Sequence, residues 1–493
     1  MFEAAELGRK TPKREFVARL PELRARLLNA HFALRQAKVP VYIIISGVDG
    51  AGKGEMVHRL NEWLDPRGVD THAFWQSSDE ENERPQYWRF WRTTPARGRI
   101  GIFFGSWYTD PIVRRVYHKL KQSEFDRTLE RIASFEKMLA ADGALIIKIW
   151  FHLSKGSQKK ILKELERDPR THWRVLPSDW EHHKLYEKFT DISERTIRHT
   201  NSGTAPWHIV EATDQRYREL TAGRIILDAI EARLVETADK STRRPPSPPA
   251  PKRAKTPVTV LNKVDLTQRL GEADYEHQLA KYQARYNKLT WEAQSKGCSS
   301  VIVFEGWDAA GKGSGIRRVT EASDPRLYRI VSIAAPNDEE RAHHYLWRFW
   351  KYLPRAGMTT IYDRSWYGRV LVERVEGYAS TPEWMRAYQE INEFEEQLVE
   401  HGTVVTKFWL HISKEEQLRR FKQRKEVAYK RHKITDEDWR NREKWEPYES
   451  AVHDMVTHTS TEYAPWTLVA GNDKRFARIQ ILKTLCQNLE SAL

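Results

Sequence analysis

The chain has 493 residues, too many for one ordinary domain, and 40% hydrophobic with 11% aromatic residues is enough to fill real cores. No apolar run approaches the length of about 18 residues that a membrane span needs, Met1-Phe-Glu-Ala-Ala-Glu6 lacks the apolar centre of a secretion signal, and Cys298 and Cys486 offer neither a disulfide framework nor metal spacing. A cytoplasmic protein is therefore expected, and its net charge of +14 points to a polyanionic partner, nucleic acid being the default.

From the N-terminus, apolar residues at three- and four-residue spacing predict an entry helix over 16–37. It leads into Ile45-Ser-Gly-Val-Asp-Gly-Ala-Gly-Lys-Gly54, which has the G-x-x-x-x-G-K pattern of a phosphate-binding loop. Further strands are expected at 71–75, 100–104, 145–151 and 207–210, with long helical patterns between them. Alternating strands and helices imply α/β domains, each a doubly wound parallel sheet with helices on both faces. Clusters such as Tyr87-Trp-Arg-Phe-Trp91 read as core or pocket walls.

Residues 239–257 are dense in proline and positive charge, the composition of an extended, solvated linker. Beyond them the pattern repeats. Lys53 and Lys312 stand 259 positions apart, and the same offset carries Trp88-Arg-Phe-Trp91 onto Trp347-Arg-Phe-Trp350, Asp65-Pro-Arg67 onto Asp324-Pro-Arg326, and Ala205-Pro-Trp207 onto Ala464-Pro-Trp466. Matches this far apart at one offset make the chain a tandem duplication, with domains expected at 1–238 and 258–493. The second entry helix is expected over 275–295.

The second loop, Gly306-Trp-Asp-Ala-Ala-Gly-Lys-Gly313, follows the β-branched run Ser300-Val-Ile-Val-Phe304. Backbone N–H groups from Gly306, Ala310, Gly311 and Gly313 would turn inward around an anion, and Lys312 adds an ammonium. Gly313 stands where a Mg²⁺-binding Ser or Thr is usual, so another hard oxygen must hold the metal. Asp308 and Asp363 are the candidates, Asp363 closing a second β-type run in Tyr362-Asp-Arg-Ser-Trp-Tyr-Gly-Arg369. Arg364 and Arg369 are candidate phosphate contacts, with a salt bridge to a neighbouring acid as the other reading of Arg369.

The first copy has Phe103-Phe-Gly-Ser-Trp-Tyr-Thr-Asp110 at that place, so Phe104 replaces Asp363 and Gly105 replaces Arg364. Phenylalanine ligates no metal, and the first copy is expected to be catalytically degenerate. A basic helix follows in the second copy from Ser413 to Lys425, continued by Lys430-Arg-His-Lys433. Ile161 and Leu165 stand at the positions of Arg420 and Arg424, and this loss in the degenerate copy suggests a lid whose Arg420 and Arg424 contact phosphates.

Gly306-x-Asp-Ala-Ala-Gly-Lys-Gly313, Tyr345-Leu-Trp-Arg348, Asp363-Arg-Ser-Trp-Tyr367 and Ala464-Pro-Trp466 together resemble the polyphosphate kinase 2 family, in its two-domain form. The resemblance implies a P-loop kinase fold with a helical lid, Mg²⁺ dependence, and transfer of a phosphoryl group from inorganic polyphosphate to a nucleotide. The tandem layout favours AMP, giving ADP, over a nucleoside diphosphate. Under it, Asp308, Lys312, Asp363 and Arg364 become the catalytic set, chemistry belongs to the second copy, and a homo-oligomer is expected. Polyphosphate accounts for the positive charge, so nucleic acid becomes unnecessary.

Overall fold

The computed structural model describes residues 1–242, 259–426 and 436–493; most of the proline-rich 239–257 segment and all of Lys430-Arg-His-Lys433 lie outside the described residues. The chain separates into two compact units, each with its own sheet. In the first copy the strands are β1 (Val41–Gly47), β2 (Val69–Ala73), β3 (Ile100–Phe104), β4 (Leu145–His152) and β5 (Trp207–Glu211), ordered β2-β3-β1-β4-β5. The second copy has β6 (Ser300–Gly306), β7 (Tyr328–Ser332), β8 (Thr359–Asp363), β9 (Val404–His411) and β10 (Trp466–Ala470), ordered β7-β8-β6-β9-β10, the same topology. Every pairing is parallel. Both sheets are therefore of the doubly wound α/β type, and each loop leaves the central strand. Boundaries differ from expectation by up to three residues: the entry helices begin at Lys13 and Glu272, and β2 starts at Val69 and ends before Trp75, which is 74% exposed.

The central strands show no apolar/polar alternation because both of their faces are covered. Val41, Ile43 and Ile45 share one apolar cluster with Leu27 of the entry helix (Lys13–Ala37), Leu60 of helix Lys53–Trp63 and Ile226 of helix Gln215–Thr242. On the opposite face Tyr42 stacks on Phe103, Phe103 meets Trp107, and Trp107 meets Phe135 of helix Gln122–Ala141. Several repeated motifs have structural jobs. Asp214 and Asp473 accept the backbone N–H of Tyr217 and Phe476 as they open the last helix of each copy. Asp65 and Asp324 pair with the arginines two residues later. Among the described residues no helix is long and apolar enough to cross a membrane.

The turn after β8 is anchored by a buried ion pair. Lys407 on β9 donates to Glu395 Oε2 at 2.7 Å, to the Tyr367 hydroxyl at 2.9 Å and to the Thr459 carbonyl at 2.8 Å. Glu395 Oε1 accepts Trp366 Nε1–H at 3.0 Å and the Tyr367 hydroxyl at 2.6 Å. The first copy repeats the arrangement with Lys148, Glu136, Trp107, Tyr108 and Thr200. This explains why Trp-Tyr persists there although Phe104 and Gly105 stand in place of Asp363 and Arg364. Breaking such a pair strands a buried charge, so Lys407→Met should destabilise the second copy by about 3–5 kcal/mol. Lys407→Met with Glu395→Leu should recover part of that loss, as read by denaturant unfolding.

Candidate functional site

The loop is shaped where β6 ends. Gly306 sits at φ +150, and a Cβ there would lie 2.6 Å from the Leu410 carbonyl oxygen, so only glycine lets the chain leave the sheet so close to β9. After Gly311 the helix Lys312–Glu321 begins, and its first backbone bonds run from Ser314 and Gly315 to the Gly311 carbonyl. The preceding amides, Lys312 and Gly313 among them, have no intrahelical acceptor and form an anion-binding end. Lys312 Nζ donates to the carbonyls of Gly306 (2.7 Å) and Trp307 (3.2 Å).

Asp308 joins the loop to the turn after β8. Its Oδ1 accepts Arg364 Nη2 at 3.2 Å and its Oδ2 accepts Asn441 Nδ2 at 2.9 Å, while its carbonyl accepts Gln417 Nε2 at 3.1 Å. Asp363 closes β8 one residue before Arg364, in register with Phe304 of β6. Its side chain is half-buried, and among the described residues no hydrogen bond or ion pair reaches its carboxylate. Asp308, Lys312, Asp363 and Arg364 thus belong to one group at the C-terminal ends of β6 and β8, where open parallel sheets bind ligands.

The first copy uses its loop acid differently. Lys53 Nζ reaches Asp49 Oδ1 at 3.1 Å as well as the Gly47 and Val48 carbonyls, and His182 Nδ1 lies 2.7 Å from Asp49 Oδ2. Burial would raise the Asp49 carboxyl, but Lys53 and His182 more than offset it and hold it well below the usual carboxylate range. In the second copy Arg364 has taken the acid, and among the described residues Lys312 makes no ion pair. Gly105 has φ +74, and a Cβ there would meet the Phe74 carbonyl oxygen at 2.6 Å. Arginine cannot return to that position without a backbone shift.

Two of the expected arginines have other jobs. Arg420 is 3% exposed, and its five N–H donors meet five protein acceptors: Glu416 Oε1 and the carbonyls of Ala309, Ala310, Gly471 and Asn472. It braces the loop from behind, with no donor left for phosphate. In the first copy the same brace comes from Arg218, which bonds Ala51 and Ala212, the counterparts of Ala310 and Gly471, and pairs with Glu55. The loss of arginine at position 161 is therefore compensated and does not mark a lost lid. Arg369 pairs with Glu373 at 3.1 Å and lies over the Tyr345 ring at 4.4 Å, the salt-bridge reading. Arg424 is on the same helix, Lys414–Glu426, close enough to act on the charge of Arg420.

Residues that the sequence did not single out complete the site. Gln417, on helix Lys414–Glu426, donates to the Asp308 carbonyl and is itself held by Arg442 at 3.0 Å. The signal was present, since Gln158 makes the equivalent bond to the Asp49 carbonyl. Trp307, inside the loop, stacks on Trp445 with ring centres 3.8 Å apart and donates Nε1–H to His411 Nδ1 at 3.0 Å. The loop is thereby attached to the first residue of helix Trp445–Thr459.

The polyphosphate kinase 2 (PPK2) family profile matches residues 10–238 and 269–493. The chain is 51% identical over 493 residues to a polyphosphate:AMP phosphotransferase of Pseudomonas aeruginosa, covering 100% of this chain and 99% of that one. It is 35% identical over 224 residues to a GDP-polyphosphate phosphotransferase of Mycobacterium tuberculosis, covering 45% of this chain and 76% of that one. A crystal structure assigned to polyphosphate kinase 2 from Pseudomonas aeruginosa superposes with a TM-score of 0.90 at 49% identity, covering 100% and 99% of the two chains.

Arg420→Ala should destabilise the second copy by about 2–4 kcal/mol, because buried carbonyls lose their donors. Adding Ala477→Arg and Ser314→Glu, which reproduces the brace of the first copy, should recover at least half of that in thermal unfolding. Burial takes the His411 imidazole down to about 4, so it stays neutral when folded while the unfolded chain protonates near 6.5. Stability should fall as pH drops from about 6.5 towards 4, by up to about 3 kcal/mol, and His411→Asn should flatten that part of the profile.

Proposed function

The chain belongs to the polyphosphate kinase 2 family, and from that premise we propose that its second copy transfers the terminal phosphoryl group of inorganic polyphosphate to AMP, forming ADP. One observation supports the reading: Arg364 reaches Asp308 in the loop that carries Lys312, with Asp363 closing β8 beside it, whereas the first copy has Phe104 and Gly105 in place of Asp363 and Arg364. The acceptor follows the full-length relative, which has both copies and is named for AMP, while the GDP-named relative aligns with 45% of this chain. We take the copies to span 1–238 and 258–493 with the linker between. Cys298 and Cys486 are both unpaired thiols, which supports a cytoplasmic setting.

In this reading an oxygen of the AMP 5′-phosphate attacks the terminal phosphorus, and the bond from that phosphorus to the bridging oxygen of the shortened chain breaks. The acceptor oxygen is already ionised at neutral pH, so no general base is needed. The protein contributes position and charge. The loop amides and Lys312 hold the transferring group, Arg364 faces charge that builds on its oxygens, and Asp308, fixed by Asn441 and Gln417, sets the arginine's direction. Arg424 would draw in the polyphosphate chain.

The donor set fits a hard divalent cation such as Mg²⁺, because Asp363 offers a carboxylate with no protein partner among the described residues, and Asp308, whose oxygens meet Arg364 and Asn441, would add a second through its remaining lone pairs. Among the described residues no cluster of three ligating side chains exists, so phosphate oxygens and water would complete the shell. Bound there, the ion would neutralise phosphoryl charge.

Incubation with Mg²⁺, long-chain polyphosphate and AMP, without ATP, should yield ADP. Asp363→Asn should lower turnover at least about a thousandfold, roughly 4 kcal/mol, with the fold intact. Phe104→Asp with Gly105→Arg in that background should restore nothing, since the Phe74 carbonyl blocks the arginine. ATP from ADP, with none of the expected product from AMP, would move the acceptor to a nucleoside diphosphate. A folded, active Asp363→Asn protein would refute the metal site.

A further inference from the structure

Glu305 lies one residue before the loop, at the end of β6, and is 5% exposed. No step described so far uses it. Ser365 Oγ donates to Glu305 Oε1 at 2.8 Å while accepting the Tyr367 N–H at 3.3 Å. One residue earlier on each segment, Arg364 N–H donates to the Phe304 carbonyl at 3.1 Å. Two consecutive residues of β6 therefore grip two consecutive residues of the turn. Between these grips sits Arg364 at φ +65, a left-handed conformation that a non-glycine residue keeps only when its surroundings impose it. The guanidinium so placed is the one that reaches Asp308. Lys312 and Arg364 also lie near enough to act on the charge of Glu305.

The first copy separates the shared part of this arrangement from the special part. Ser106 stands for Ser365, and its Oγ accepts the Tyr108 N–H at 3.4 Å, so the serine's local turn bond belongs to both copies. Ser46 stands for Glu305 and Gly105 for Arg364. The acid is missing where the arginine is missing, and the left-handed residue has become glycine at φ +74. A group needed only to build the sheet would have no reason to depart with the arginine, since β1 and β6 pair alike.

We infer that Glu305 is a positioning residue for phosphoryl transfer: through Ser365 it locks the Asp363-Arg364 turn in the conformation that aims the guanidinium at Asp308 and the loop. This rests on Arg364 being a site residue. Glu305 touches no substrate; it acts through the turn.

The test measures steady-state kinetics and thermal unfolding of the full-length protein carrying Glu305→Gln, Glu305→Ser, Ser365→Ala, Arg364→Gly and the double change Glu305→Ser with Arg364→Gly. Glu305→Ser should lower kcat about 100-fold, the penalty of a misaimed group, with KM for AMP changed less than about threefold. Glu305→Gln, whose side-chain carbonyl still accepts the Ser365 proton, should stay within about fivefold of the parent. The double change should match Arg364→Gly within about twofold, because nothing remains to aim. If Glu305→Ser does not fold, Ser365→Ala takes its place and must show the same fall in kcat and the same non-additivity with Arg364→Gly. Parent-like kcat in Glu305→Ser, or multiplicative losses in the double change, would overturn the inference while leaving the site reading standing. Parent-like activity of Arg364→Gly would bring down the site reading, and the inference with it.

Discussion

An ammonium group with no solvent contact has to be paired, and the pairing of Lys407 decides where the turn after β8 can sit. Glu395 answers it from helix Thr381–Glu400, the Thr459 carbonyl from the end of helix Trp445–Thr459, and the Tyr367 hydroxyl from the turn after β8. Four separate segments meet at one charge. Because an unpaired buried charge is so unfavourable, none of them can drift without the others. The turn that holds Asp363 and Arg364 is thus clamped on its far side by the core, and on its near side by the end of β6. The same clamp in the first copy, with no Asp-Arg pair to carry, shows that it belongs to the fold.

Each copy holds two non-glycine residues in the left-handed region, Lys38 and His118 in the first and Ala309 and Arg364 in the second, but only the second copy's pair lies at the site. In the second copy Ala309 (φ +62) and Arg364 (φ +65) occupy the left-handed region; in the first the equivalent positions are Gly50 (φ +79) and Gly105 (φ +74). Each non-glycine residue there costs about 1–2 kcal/mol. The backbone path is shared, so the strain is not forced by the fold. At position 364 it is tolerated for a side chain that reaches the loop acid. Where that side chain is gone, glycine has removed the cost.

The strands and loops were legible because parallel strands covered on both faces leave long β-branched runs, and because a close approach such as Gly306 against Leu410 admits little but glycine. The four-residue candidate group stood out in the sequence for a different reason: the first copy served as a built-in comparison. That same comparison misled at Arg420. A basic residue on a helix has no sequence mark for the direction it faces, and its loss at position 161 looked like a lost function. The replacement, Arg218, comes from another helix 57 positions further on, and only the fold shows both guanidiniums bonding equivalent carbonyls. Asn441 was hidden for a similar reason, since its counterpart is His182 and the two share geometry without sharing chemistry.

The exchanged brace also bears on the history of the duplication. Two halves that began as copies can be kept alike by recombination between them, provided each segment still works in the other's setting. Here the segment around position 420 and the final helix no longer do. Moving the first half's final helix into the second would bring Arg218 and Arg420 to the same two carbonyls, two like charges contending for one set of acceptors. The reverse transfer would leave Ile161 beside the alanine that stands at position 477, and the loop would have no guanidinium behind it. Segment exchange between the halves at these places is penalised in both directions unless both segments move together, so the brace binds two distant stretches of each half into one unit of inheritance.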